Sequence, residues 1–140
     1  MPRISIHQVY MRTAYEFAQL SYANRRKVGC IIVKNNQVIS FGYNGTPHGF
    51  NNQCEYNNKT KSEVLHAESN AIMKVAKSTM SCHEGYLYTT TCPCFDCAKL
   101  IIQVGINKVY YREDYKDMRG IELLDKANVK YEKIQLNERE

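Results

Sequence analysis

Tyr86-Leu-Tyr-Thr-Thr-Thr-Cys-Pro-Cys-Phe-Asp-Cys-Ala-Lys-Leu-Ile-Ile-Gln-Val-Gly105 passes from a β-branched and aromatic segment, through three cysteines, into a helical pattern. Tyr86 to Thr90 has the composition of a strand. Cys94, Cys97, Ala98, Ile101 and Ile102 recur at i, i+3, i+4, i+7 and i+8, the spacing of one helix face, and Gly105 stands where a helix commonly ends. Pro93 suits the first helical turn, where a missing N–H costs nothing. The stretch predicts a strand that turns directly into a helix with a cysteine pair at the junction. Lys108-Val-Tyr-Tyr111 supplies the second strand of a βαβ unit.

Toward the N-terminus, Ile6, Val9, Tyr10, Ala14 and Phe17 predict an amphipathic helix over about 5–22. Val28-Gly-Cys-Ile-Ile-Val33 reads as a buried strand, joined by a tight turn at Asn35-Asn36 to a second, Val38-Ile-Ser-Phe41. Leu65, Ile72, Val75 and Ala76 predict a helix over about 66–78. A helix near 117–127, through Ile121 and Leu124, and a last strand from Val129 to Gln135 complete the order α-β-β-α-β-α-β-α-β. A hairpin followed by βαβ units implies an α/β fold with a mixed sheet covered by helices. Tyr43 to Ser62 carries five asparagines, two glycines and Pro47, and is too long for a routine connection, so it is expected to form part of a site.

A chain of 140 residues, 44% hydrophobic and 24% charged, fits one domain spanning 1–140. No apolar run approaches the length of about eighteen residues that a membrane span needs, and Arg3, His7 and Gln8 interrupt the first ten residues where an export signal would be apolar. The expected setting is cytoplasmic (host cytoplasm for a viral source), with no membrane partner. The formal charge is +5, but the basic residues are dispersed, which permits an anionic small molecule and argues against a polynucleotide groove.

Six cysteines, at 30, 54, 82, 92, 94 and 97, invite a disulfide reading. A reducing compartment and the crowding of Cys92, Cys94 and Cys97 favour metal binding instead. Cys30 reads as a core residue and Cys82 as a loop thiol. About thirty residues before the cysteine pair stands His66-Ala67-Glu68. One imidazole and two thiolates leave the fourth tetrahedral position of zinc to water, whereas a closed structural site would need a further ligand from Cys92, Cys54 or His83. Zinc lowers the pKa of bound water from about 15.7 to about 7 in favourable sites. Glu68, two residues from His66, is placed to move a proton between that water, a ring nitrogen and a leaving amine. His-x-Glu with Pro-Cys-x-x-Cys is itself the signature of the zinc deaminases of nucleobases.

The chain resembles the cytidine deaminase superfamily, and within it the deoxycytidylate (dCMP) deaminases, especially short viral and phage forms. The resemblance runs through Arg26-Lys-Val-Gly-Cys30, Gly42-Tyr-Asn-Gly-Thr-Pro47, His66-Ala-Glu-Ser-Asn-Ala-Ile72, Pro93-Cys-Phe-Asp-Cys97 and Ala98-Lys-Leu-Ile-Ile102. It implies a three-layer α/β/α fold on a five-stranded mixed sheet, zinc held by His66, Cys94 and Cys97, and Glu68 as proton shuttle. It also implies nucleotide contacts from Asn44, Tyr115 and the backbone carbonyl of Cys92, where the family commonly has Ser-Pro-Cys. The implied reaction is hydrolysis of dCMP to dUMP and ammonia, supplying thymidylate synthesis, with dCTP as a further potential substrate. Regulation in such enzymes implies a homo-hexamer activated by dCTP and inhibited by dTTP, with magnesium on the bound triphosphate. Arg26, Lys27, Gly42, Tyr43, Asn44 and Gly45 are the expected effector region. Phosphate contacts are expected from among Arg25, Arg26, Lys27, Lys74, Lys77, Arg112 and Lys116, with the best case for Arg26 and Lys27. The alternative reading is a polynucleotide or tRNA deaminase, and a non-enzymatic zinc protein is the third.

Overall fold

The computed structural model describes residues 4–137. Helix α1, Ile6–Ala18, starts at the N-cap Ser5, whose hydroxyl accepts from the Gln8 N–H. It stops four residues before the expected end. Beyond Ala18 the Ser21 hydroxyl donates to the Asn44 carbonyl and accepts from the Ala23 N–H, local bonds that compete with further helix.

Strands β1 (Gly29–Lys34) and β2 (Gln37–Tyr43) form the expected hairpin, with Asn35 and Asn36 both at positive φ in the turn. Helix α2, Ala67–Ala76, leads to β5 (Tyr86–Thr91), α3 (Phe95–Gln103), β6 (Lys108–Glu113), α4 (Arg119–Lys126) and β7 (Lys130–Lys133). The strand numbers β3 and β4 belong to a small hairpin inside the long polar stretch, Glu55–Tyr56 with Lys59–Thr60, that the sequence reading did not resolve. Asn57 and Asn58 repeat there the positive-φ turn of Asn35 and Asn36.

The main sheet has the order β2-β1-β5-β6-β7. The β2-β1 and β1-β5 pairs are antiparallel, while β5-β6 and β6-β7 are parallel. Alternation along the strands sends Ile31, Val33, Tyr88 and Tyr110 to α1, where they meet Tyr10, Met11 and Ala14. Cys30, Ile32, Leu87, Val109 and Tyr111 face the opposite way and pack with Ala71, Ile72, Ala98, Ile101 and Leu124 of α2, α3 and α4. The result is the three-layer α/β/α arrangement on a five-stranded mixed sheet. No helix among the described residues is long and apolar enough to cross a membrane.

Two close approaches fix the elements around the His-x-Glu and Cys-x-x-Cys motifs. A Cβ on Gly42 would lie 2.2 Å from the Ala67 carbonyl oxygen and 2.6 Å from the Ala71 nitrogen, so its absence lets β2 touch the first turns of α2. A Cβ on Gly120 would lie 2.2 Å from the Pro93 carbonyl oxygen, so α4 rests on the backbone of the cysteine turn.

Candidate active site

Both donor segments end a loop at the first turn of a helix. His66 is the N-cap of α2, and Cys94 is the N-cap of α3. This corrects the sequence reading in one detail: Pro93 precedes the N-cap and lies outside the helix, because Cys94 keeps an extended backbone (φ −75°, ψ 172°). The helix instead begins at Phe95. Cys97 falls in its first turn, and its N–H donates to the Cys94 sulfur at 3.5 Å. Anionic sulfur at a helix N-terminus is favoured by the oriented peptide dipoles.

His66 Nδ1 lies 3.3 Å from Cys94 Sγ and 3.5 Å from Cys97 Sγ, and the three donor atoms all fall within 4.8 Å of one another. Tetrahedral zinc, with bonds of about 2.3 Å to sulfur and about 2.0 Å to nitrogen, requires N···S edges of about 3.5 Å. The residues therefore fit the ion. Among the described residues, none of Cys92, Cys54 or His83 joins the group, so the fourth position that a closed structural site would fill is left open. Hydrogen bonding from the Cys97 thiol draws the Cys94 thiol down to about 4, with help from His66, and the same bond together with burial pushes Cys97 up. The pairing favours the anionic form of Cys94. Coordination would convert both sulfurs to ligand anions.

Glu68 is 3% exposed, in the first turn of α2. Burial raises its carboxyl above the ordinary carboxylate range, and the Thr89 hydroxyl, 2.6 Å from Oε1, opposes that shift. Thr89 was not singled out from the sequence. Its alternation with Leu87 on β5 is the signal that places it on the α2 side of the sheet. Its hydroxyl also lies 3.0 Å from the Thr91 carbonyl, which gives it an alternative acceptor when Glu68 needs none.

Glu68, His66 and Cys94 open into a cavity of about 440 Å³, the size of a small-molecule site. Of the residues expected at the nucleotide, Asn44, Cys92, Tyr115 and Arg26 line it. Asn44 is partly committed: Oδ1 accepts from the Val28 N–H at 2.9 Å, and Nδ2 donates to the Arg26 carbonyl at 2.8 Å. It thereby holds the basic segment 26–28 against the cavity, with one lone pair and one N–H to spare. Burial pushes the Cys92 thiol up to about 11, so it stays a neutral wall group. Its N–H donates to the Glu113 carbonyl, which ties the cysteine turn to β6.

Arg25, Arg26 and Lys116 supply positive charge at the cavity. Arg26 is braced by the Glu113 carboxylate at 3.5 Å. Lys27, Gly42, Tyr43 and Gly45 are not among the lining residues: Gly42 packs against α2, the Tyr43 carbonyl accepts from Asn70, and Gly45 bridges to Leu65. Lys74 and Arg112 point elsewhere, Lys74 over the Phe41 ring and Arg112 to the Tyr15 hydroxyl. The wall also contains Glu55, absent from the sequence-based candidates, whose Oε2 accepts from the N–H groups of Asn24 and Arg25.

The chain is similar to known proteins over most of its length. The family described as "Cytidine and deoxycytidylate deaminase zinc-binding region" matches residues 4–113. ComE operon protein 2 of Bacillus subtilis is 36% identical over 143 residues, covering 99% of this chain and 76% of its own length. The deoxycytidylate deaminase of Enterobacteria phage T4 is 33% identical over 147 residues, covering 75% of this chain and 76% of its own. The deoxycytidylate deaminase of Schizosaccharomyces pombe is 35% identical over 91% of this chain, which spans only 43% of that longer protein. Among solved structures, the dCMP deaminase of cyanophage S-TIM5, in complex with dCMP and dUMP, superimposes with a TM-score of 0.91 at 45% identity, covering 96% of this chain and all of the other. With a family match that takes in most of the sequence and both donor segments, this chain belongs to the cytidine and deoxycytidylate deaminase zinc-binding family.

Proposed function

We propose that the protein hydrolyses dCMP to dUMP and ammonia. The observation that carries this reading is a single cavity in which an open three-donor metal site and a buried carboxyl stand together with a cluster of basic groups. The phage and yeast relatives named as deoxycytidylate deaminases, and the cyanophage enzyme solved with dCMP and dUMP, support the same substrate.

His66, Cys94 and Cys97 would hold zinc, which when bound supplies a Lewis acid and lowers the pKa of water at its open position. Glu68 accepts a proton from the attacking water and delivers it to N3 of the cytosine as the oxygen adds to C4; it then carries the second proton, from the new C4 hydroxyl, to the 4-amino group, so that the C4–N bond breaks, ammonia leaves and the C4 carbonyl of dUMP forms. Its burial supports this role, because a carboxylate raised above the ordinary range takes a proton from water more readily and holds it between the two transfers. Thr89 holds the carboxyl in register through the bond at 2.6 Å. The Cys92 carbonyl accepts from the 4-amino group, Tyr115 lies against the nucleotide, and Asn44 offers its spare amide capacity to it. Arg25, Arg26 and Lys116 receive the 5′-phosphate, where the Arg fork matches its oxygens.

Regulation by dCTP with magnesium and by dTTP, in a hexamer, belongs to this reading through the family resemblance, with Arg26, Lys27 and the 42–45 segment as the effector region. Ammonia release from dCMP, deoxycytidine and dCTP by the zinc-loaded protein, with and without added effector triphosphates, tests the whole proposal. The expected result is turnover that favours dCMP over deoxycytidine and is lost in Glu68→Gln. Silence on all three substrates refutes it and directs attention to polynucleotide substrates.

A further inference from the structure

Arg26 reaches the cavity wall from the segment before β1, and two contacts hold its guanidinium there: NH2 lies 3.5 Å from Glu113 Oε1 and donates to the Asp114 carbonyl at 3.4 Å. Neither contact uses NH1 or Nε. Glu113, the last residue of β6, is not itself a wall residue; it stands behind Arg26. Its other oxygen, Oε2, accepts from the hydroxyl of Tyr15 on α1, and that hydroxyl accepts in turn from Arg112 NH1 at 3.0 Å. Burial, and then the bond to Glu113, raise the Tyr15 hydroxyl above its ordinary value, so it keeps its proton and remains the donor. A half-exposed ion pair is ordinarily weak because two long side chains must be ordered to form it. Here the carboxylate is already ordered from behind.

We propose that Glu113, anchored by Tyr15, is a positioning residue for the 5′-phosphate: it holds the Arg26 guanidinium at the cavity wall, ready to receive that group. The inference deepens the proposed function and rests on a nucleoside monophosphate as the ligand. Brace and phosphate do not compete for the same hydrogens, since a guanidinium has five N–H donors and the brace occupies only the NH2 end. An arginine fixed beforehand loses less side-chain freedom when the phosphate arrives, and binding is tighter by that amount. The main chain of Glu113 ties the same point to the metal end, because its carbonyl accepts from the Cys92 N–H at 2.8 Å. The phosphate-binding arginine is thereby held to the same strand end as the cysteine turn.

The test reads kcat and KM for dCMP and for deoxycytidine, with Kd for dCMP by calorimetry, on the zinc-loaded full chain. Glu113→Gln keeps the side-chain shape and an acceptor for the Tyr15 hydroxyl, so the strand end is preserved while the charge that holds Arg26 is lost. It should raise KM and Kd for dCMP about two- to fivefold, short of the effect of removing Arg26, with kcat and the deoxycytidine kinetics unchanged. In an Arg26→Met background the same substitution should change nothing, because the group it positions is gone. Tyr15→Phe should shift KM in the same direction, and wild-type kinetics there would refute the anchoring. A KM for dCMP that is unmoved or lowered in Glu113→Gln, an equal loss on deoxycytidine, or an effect that persists without Arg26 overturns the proposal. If dCMP is not deaminated even by the wild type but its Kd follows the expected pattern, the functional reading falls while the role of Glu113 stands.

Discussion

Gly120→Ala probes how the fold carries the metal site. The added Cβ would fall 2.2 Å from the Pro93 carbonyl oxygen and 2.8 Å from that of Cys94, whereas ordinary contact begins at 3.4 Å, so the first carbonyl must retreat by about 1.2 Å. It has little freedom to do so. The Cys92 N–H is bonded to Glu113 on one side, and the Cys94 carbonyl accepts from Ala98 at 2.9 Å on the other. Overpacking of this kind costs about 1–3 kcal/mol of stability. Metal–ligand distances tolerate only about 0.2 Å, so a shift of Cys94 by a fraction of the required movement should weaken zinc binding by about 10- to 100-fold. A misplacement of about 1 Å should cost about 100-fold in kcat/KM. Competition with a chromophoric chelator measures the affinity, and thermal unfolding measures the stability. Gly45→Ala is the contrast: its Cβ meets nothing within 4 Å, so zinc affinity and unfolding temperature should stay at wild-type values. Wild-type zinc affinity and stability in Gly120→Ala would refute the claim that α4 positions the cysteine turn.

Other side chains are expected to separate into distinct phenotypes. Glu68→Gln should retain zinc, measured by metal analysis, and lose about 10²- to 10⁴-fold in turnover, whereas His66→Ala should lose the metal itself. Thr89→Val removes the bond that most lowers the Glu68 carboxyl and leaves burial less opposed. The carboxylate then exists only at higher pH, so the acid limb of the kcat–pH profile should move upward, and an unmoved limb would contradict the assigned bond. Arg26→Met should raise KM about tenfold for dCMP while leaving deoxycytidine kinetics nearly unchanged, because the proposed partner of the lost charge is the phosphate that deoxycytidine lacks.

Much of the layered fold was legible because strands and helices carry different periods. The i, i+3, i+4 pattern from Cys94 to Ile102 marked α3, and Asn35-Asn36 between two apolar runs marked the first hairpin. The order of strands was not written locally: β5 inserts between β1 and β6 through pairings some sixty and twenty residues apart, as Ile31 with Tyr88 and Tyr88 with Tyr110 show. The Glu55–Thr60 hairpin escaped because its strands are two residues long, polar and without alternation, although Asn57-Asn58 repeats the turn signal already used upstream. Missing it hid Glu55. The zinc donors were legible because Cys-x-x-Cys and His-x-Glu are local patterns. Thr89 and Gly120 act across the fold, one onto α2 and one onto the cysteine turn, and nothing in their neighbouring residues declares the partner.

Deamination of dCMP in ¹⁸O-labelled water by the zinc-loaded protein tests the central claim most directly. The account predicts dUMP carrying one labelled oxygen at C4, one ammonia per dUMP formed, and loss of both products in Glu68→Gln. Unchanged dCMP after prolonged incubation with fully zinc-loaded protein, or equal product from Glu68→Gln, would contradict it.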